Sequence, residues 1–160
     1  MEGSQPLRVL FVSKPIAPPF HDGTKCLVRD IASSVTRVQP VVLSTPDAPP
    51  LGSAQQVPIY GTSGAFTPAL AQNLRAAAWV LLRSRADVWH FVFAPNSRTS
   101  RVGRFLRAAR DVPVVQTIAS PPRSFDDADA LLFGDVVVAQ SRWSMNQVVR
   151  AHERKNLSPP

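Results

Sequence analysis

Apolar residues fall along this chain in short, nearly unbroken runs, separated by longer stretches in which they recur every three or four positions. Leu7–Ser13, Pro40–Ser44, Gln56–Tyr60, Val88–Val92, Pro113–Ile118 and Asp135–Ala139 are runs rich in Val, Ile, Leu or Phe, which predicts strands covered on both faces. The stretches between them predict helices. Thr24–Thr36 sets Leu27, Ile31 and Val35 on one stripe, and Thr67–Arg83 sets Leu70, Leu74, Trp79 and Leu81 among alanines and arginines. Ser97 is placed to cap a third helix with Val102, Phe105, Leu106 and Ala109 facing inward, and Ser141 to cap a fourth containing Met145, Val148 and Val149. Thr45–Val57 and Gly61–Phe66 read as loops, the first broken by Pro46, Pro49, Pro50 and Gly52. Strand and helix in alternation predict a doubly wound, mostly parallel Rossmann-like sheet of the α/β class, flanked by helices. Trp79, Trp89 and Trp143 all lie on apolar patterns and are expected in the core.

The first run leads through a Pro-rich turn into His21-Asp22-Gly23-Thr24-Lys25 and then a helix. A strand that feeds a helix N-terminus brings unpaired N–H groups and the helix dipole to one crevice. Only Gly23 stands where the dinucleotide fingerprint needs three glycines, so NAD and FAD are not expected. In an open α/β sheet, ligands sit outside the carboxyl ends of the strands. That rule selects Lys14, His21, Asp22, Gly23, Thr24, His90, Asn96, Arg98, Thr117, Ser120 and Ser141. Gly23 and Thr24 can offer backbone N–H groups to a phosphate oxygen, with Lys14 or Lys25 adding charge; the plain alternative is an Asp22-Gly23 turn with Thr24 as helix cap. His90, expected to follow its strand, can bond an acceptor hydroxyl or act as a base near neutral pH, or be a satisfied histidine at a sheet edge.

The length of 160 residues and 44% apolar content suit one domain with a real core. No apolar stretch approaches the ~20 residues that cross a bilayer, and Met1–Pro6 has no signal-peptide pattern. With a single cysteine, Cys26, no internal disulfide forms, and a cytoplasmic protein is expected. Cys26 itself reads as a small hydrophobe. The formal charge of +7 comes almost wholly from arginine, since Lys14, Lys25 and Lys155 are the lysines; it favours phosphates, anionic lipid or nucleic acid as neighbours. Arg98, Arg101, Arg104 and Arg107 recur every third residue on the third helix, as a solvated face or as a strip for an anionic membrane. Nucleic acid is set aside because few aromatics interleave with the arginines. Glu2 and Glu153 are the glutamates, too few for a glycosidase pair or a Glu-x-x-His metal box. Asp126-Asp127-Ala128-Asp129 fits the start of a short helix better than a cation site, so no metal is expected.

Four stretches together resemble the N-terminal half of a family-4 glycosyltransferase of the GT-B fold. They are Leu7–Ser13 with the Pro18-Pro19 to Gly23 loop; Ala86-Asp87-Val88-Trp89-His90-Phe91, similar to the family's D-V-V-H-x-H strand end; Val114–Ile118; and Gly134–Ser141, similar to its D-x-V-V-x-x-S strand and helix cap. The resemblance covers nearly the whole chain. It implies a retaining hexosyltransferase using a nucleotide-diphosphate sugar, with residues 1–155 as the acceptor-side layer and 156–160 as the start of a linker to a donor-binding domain; the chain alone would then be inactive. It implies a donor-phosphate loop at Asp22, Gly23, Thr24 and Lys25, acceptor contacts from His21, Asn96, Arg98, Thr117, Ser120 and Ser141, and His90 as the catalytic group. No cofactor or metal is implied, and the partners would be the donor-binding domain, a sugar or lipid-linked acceptor and the inner membrane face. The chain departs from the pattern in two places. The run Thr117-Ile118-Ala119-Ser120-Pro121 has no histidine, and the usual double glycine is Asp22-Gly23. The competing expectation is a non-catalytic, flavodoxin-like binding or regulatory module, because fold does not set function.

Overall fold

The short apolar runs form strands because Val, Ile and Phe pack well on a pleated surface, and they pair in parallel because each is followed by a crossover. In the computed structural model, which describes residues 5–62, 68–122 and 128–157, the strands are β1 (Leu7–Val12), β2 (Val38–Ser44), β3 (Gln55–Pro58), β4 (Val88–Phe93), β5 (Val114–Ile118) and β6 (Val136–Ala139). The helices are α1 (Gly23–Ser34), α2 (Leu70–Arg83), α3 (Ser97–Ala109), the short α4 (Ala128–Leu131) and α5 (Arg142–Leu157). The strands make one six-stranded sheet in the order β3-β2-β1-β4-β5-β6, and each described pairing is parallel. This is a Rossmann-like α/β fold. Strand order reverses between β1 and β4, so the chain leaves the sheet in opposite directions on either side of that seam. Pro40 sits inside β2, opposite Val9, but β3 pairs only from Val41 onward; a residue without an N–H is tolerated where one side of the strand has no neighbour.

Two apolar layers sandwich the sheet. On one face α1 brings Val28 and Ala32 against Phe11, Val42 and Val92, with Ile16 and Leu51 closing the layer. On the other, Leu10, Val41, Leu43, Trp89, Phe91 and Val114 meet Ala76 and Val80 of α2, Leu106 of α3 and Phe133. Trp89 is fully buried, and its indole N–H donates to Ser84 Oγ at 3.3 Å, which satisfies its one polar atom. Phe133 lies edge-on to Phe91, with ring centroids 5.1 Å apart.

Helix faces differ from the periodicity reading. Leu70 and Leu74 of α2 are exposed while Ala76 and Val80 point in, and Val102 and Phe105 of α3 are exposed while Ser100, Gly103 and Leu106 are buried. Met145 and Val149 of α5 are exposed as well. For α3 the reason is close approach: a Cβ on Gly103 would stand 2.2 Å from the Phe133 ring, so only a small residue fits there. Ser100 Oγ donates to Leu131 O at 2.8 Å on the same side. In α1 the buried line is Thr24, Val28 and Ala32, with Leu27 and Ile31 beside it. Of the three tryptophans, Trp89 is core, Trp79 is half-buried and Trp143 is exposed. The arginine strip is divided too. Arg104 donates to the Asp129 and Ala130 carbonyls and Arg107 to Phe133 O and Asp135, whereas Arg98 and Arg101 stay in solvent. Asp126 and Asp127 lie outside the described residues, as do 63–67, where the loop reading and the start of the second helix fall; 128 begins α4.

Candidate functional site

The seam between β1 and β4 is where loops from both halves of the sheet converge. After β1 come Ser13 and Lys14, then the turn that ends at Asp22. Asp22, not Thr24, is the cap of α1: its Oδ1 accepts from Thr24 N at 2.8 Å and Lys25 N at 3.2 Å, and its Oδ2 accepts from Lys14 Nζ at 2.5 Å. Burial alone would raise the pKa of this carboxyl, but the Lys14 ammonium and the two backbone donors outweigh it and hold it below the ordinary carboxylate range. Of the two N–H groups expected to face a phosphate, that of Thr24 is therefore already taken by a carboxylate of the chain itself, as is the neighbouring N–H of Lys25. Lys25 is engaged elsewhere, its Nζ donating to Ala17 O at 2.9 Å. Gly23 opens α1 with negative φ, and a Cβ added there would meet nothing within 4 Å, so its lack of a side chain serves no close approach. Thr24 is buried and His21 exposed.

Across the seam, β4 continues to Phe93, so His90 lies within the strand and not after it. Its register partners are Phe11 on β1 and Val115 on β5. The imidazole stands on the α1 face, its ring centroid 5.0 Å from that of Phe11, with Nε2 2.7 Å from Thr117 Oγ1. Burial pushes its pKa below the ordinary value, which favours a neutral ring that exchanges one hydrogen bond with the threonine. Thr117 is itself buried, one residue before the end of β5. These two residues form a polar pair beneath the carboxyl edge of the sheet. The plainer reading of His90, a satisfied histidine, describes this geometry.

The remaining candidates do lie at the edge. Asn96 caps α3, its Oδ1 accepting from Thr99 N at 3.0 Å, in the place expected for Ser97. Arg98 is exposed in the first turn of α3, and Ser120 follows β5 by two residues and is exposed. Ser141 caps α5, its Oγ accepting from Ser144 N at 3.1 Å, as predicted. The structure thus brings Lys14, His21, Asp22, Asn96, Arg98, Ser120 and Ser141 to one edge and sets His90 and Thr117 below it. Sequence reasoning missed Tyr60, which is buried with its hydroxyl donating to Ser13 O at 3.3 Å and its pKa pushed up to about 12 by burial. It ties the loop after β1 to the segment following β3, and only its position as the last residue of the run Gln56–Tyr60 hinted at this. Among the described residues no group of His, Cys, Asp or Glu is gathered as metal ligands are, and no helix is long and apolar enough to cross a membrane.

Comparison with protein-family models, curated proteins and solved structures returns no match. The chemistry of the edge is left to carry the functional reading.

Proposed function

We propose that this chain is the acceptor-side layer of a retaining GT-B glycosyltransferase that moves a hexose from a nucleotide-diphosphate sugar to an acceptor. The observation that supports it is the reversal of strand order between β1 and β4, which sets the β1–α1 and β4–α3 turns side by side at a ligand-facing edge. At that edge stand imidazole, amide, guanidinium and hydroxyl groups suited to a sugar: His21, Asn96, Arg98, Ser120 and Ser141. Because Asp22 fills the α1 N-terminus, the donor diphosphate belongs to a second layer, and this one orients the acceptor and adds the Arg98 charge. His90 and Thr117 support the floor of the edge from below.

Titration of the chain with mono- and oligosaccharides, followed by amide NMR, tests this. Shifts at Asn96, Arg98 and Ser120 without hexose transfer from UDP-, GDP- or ADP-sugars are expected. Tight binding of a nucleotide sugar at Thr24 and Lys25 would overturn the assignment of the donor to another layer. Saccharides that move none of the edge amides would overturn the acceptor role. A second reading, a non-catalytic binding or regulatory module, draws support from the same Lys14–Asp22 pair, since an edge closed by its own carboxylate suits a domain that handles no phosphate. In that case no saccharide binds.

A further inference from the structure

Trp143 is the tryptophan this fold leaves on its surface. Trp89 lies in the core and Trp79 is half-buried, but Trp143 is 58% exposed in the first turn of α5. That helix meets its neighbours through the small residues Ser144 and Ala151, both buried, so packing has no need of the indole. An exposed tryptophan forfeits the burial its large ring offers, and such rings are concentrated where a ligand or partner covers them.

The sheet register says where this ring stands. Phe93 of β4, Ile118 of β5 and Ala139 of β6 are aligned, so the three strands end level and residues 94–98, 119–120 and 140–143 leave the edge side by side. Adjacent strands lie about 4.8 Å apart, which sets the turns after β4 and β6 roughly 10 Å from each other. Asn96 and Arg98 stand at one end of this row, Ser120 in the middle, and Ser141 with Trp143 at the other. A helical side chain leans toward the helix N-terminus, and from the second position of α5 that direction is the edge. The turn that carries it is fixed: Ser141 Oγ accepts from Ser144 N at 3.1 Å and donates to Ser144 Oγ at 3.0 Å, keeping one lone pair for a ligand.

We infer that Trp143 is the stacking platform of the acceptor site and that the acceptor presents a pyranose ring to it. Such a ring carries hydroxyls round its rim and C–H bonds on its faces, so it needs an apolar plane with polar groups beside it, and this edge offers both. The stacked ring meets Ser120 and Ser141, while Asn96 and Arg98, one strand farther on, read what is attached to it. An open-chain polyol brings the same hydroxyls without a flat apolar face and is rejected. The inference rests on the sugar-acceptor reading of this edge and adds the ring form of the acceptor and the residue that selects it.

The test is titration of the chain with methyl glucopyranoside, maltose and the open-chain polyol sorbitol, followed at the backbone amides and at the three indole N–H resonances. The Trp143 indole and the Asn96, Arg98 and Ser120 amides should move together with the two sugars and stay still with sorbitol. The Trp89 indole, bonded to Ser84, should stay in place throughout and report an intact fold. Trp143→Ala should weaken maltose binding by about tenfold, and Trp143→Phe by less, with the Trp89 signal unchanged in both. Edge amides that move while the Trp143 indole does not, or maltose affinity that survives Trp143→Ala, overturn the platform and leave the acceptor reading standing. A Trp143 shift as large with sorbitol as with the sugars overturns the platform as well. Edge amides silent to every saccharide overturn the acceptor reading and this inference with it.

Discussion

Replacing Asp22 by alanine removes two interactions at one point: the cap on α1 and the counter-ion of Lys14. The cap consists of two backbone N–H groups on one oxygen, at 2.8 and 3.2 Å, and loss of such a cap costs about 1 kcal/mol. The ion pair, at 2.5 Å, joins side chains 30% and 13% exposed, so it is screened by solvent but not fully, and contributes about 1 kcal/mol more. Asp22→Ala should therefore lose about 2 kcal/mol, or about 4–8 °C in Tm for a domain of this size. Asp22→Asn keeps a capping oxygen and loses only the ionic part, about half as much. The pH dependence fixes the sign. Because the folded carboxyl has a lowered pKa, its stabilisation is complete above the unfolded value of about 3.9 and is lost as pH falls through the folded value. Thermal unfolding by circular dichroism between pH 2 and 7 should show wild type and Asp22→Asn converging at the acid end. A gap between them that persists undiminished at pH 2, or an asparagine variant as damaged as alanine at pH 7, would refute the separation into cap and charge.

Gly103→Ala sets a helix-propensity gain of about 1 kcal/mol against a methyl 2.2 Å from the Phe133 ring. That ring is held by Phe91 and Phe93, so overpacking of about 1–3 kcal/mol should win and urea unfolding should show a net loss; a gain would mean the ring yields. Gln116→Leu should be costlier, about 3 kcal/mol by the same measurement, because the buried Gln116 Oε1 accepts from both Phe133 N and Gly134 N, which would be left unpaired. Imidazole NMR should place the His90 midpoint below 6.5. Since the unfolded chain then binds more protons, this residue makes stability fall as pH drops from about 6.5 through the folded value, a trend that His90→Gln should remove.

All six strands are legible in the sequence to within two residues at either end; the inner ones are near-continuous apolar runs because both their faces are covered, and the outer β3 and β6, though partly exposed, keep enough Val to be read the same way. The helices are legible in extent but not in orientation. Periodicity assigns the largest apolar residues to the core, yet α2 and α3 present Ala76, Ser100 and Gly103 to it and carry Leu70, Leu74 and Phe105 outside. Nothing local distinguishes the two faces of a helix that is apolar on both. What decides between them is the distance to Phe133 and the sheet, which belongs to the tertiary structure. The run Val88–Val92 already encloses His90, so the expectation that it follows its strand is at odds with that run; what the run does not show is the contact of the imidazole with Thr117 on the neighbouring strand, which the tertiary structure makes.

The Asp22-Gly23 pair gains its meaning from the same edge. In a phosphate-binding turn, glycines let backbone approach the ligand and the helix N-terminus supplies the positive end. Here Gly23 has open space around it, and Asp22 already supplies the negative charge that a phosphate would bring, matched by Lys14 and two N–H groups. An anion entering this turn would have to displace a carboxylate that is tethered, preorganised and held ionised by the site itself. The β4–α3 side carries no such plug: Arg98 stands exposed in the first turn of α3, behind the Asn96 cap. A ligand at the seam therefore gains more on that side, and a polar, uncharged or singly charged molecule suits it better than a diphosphate.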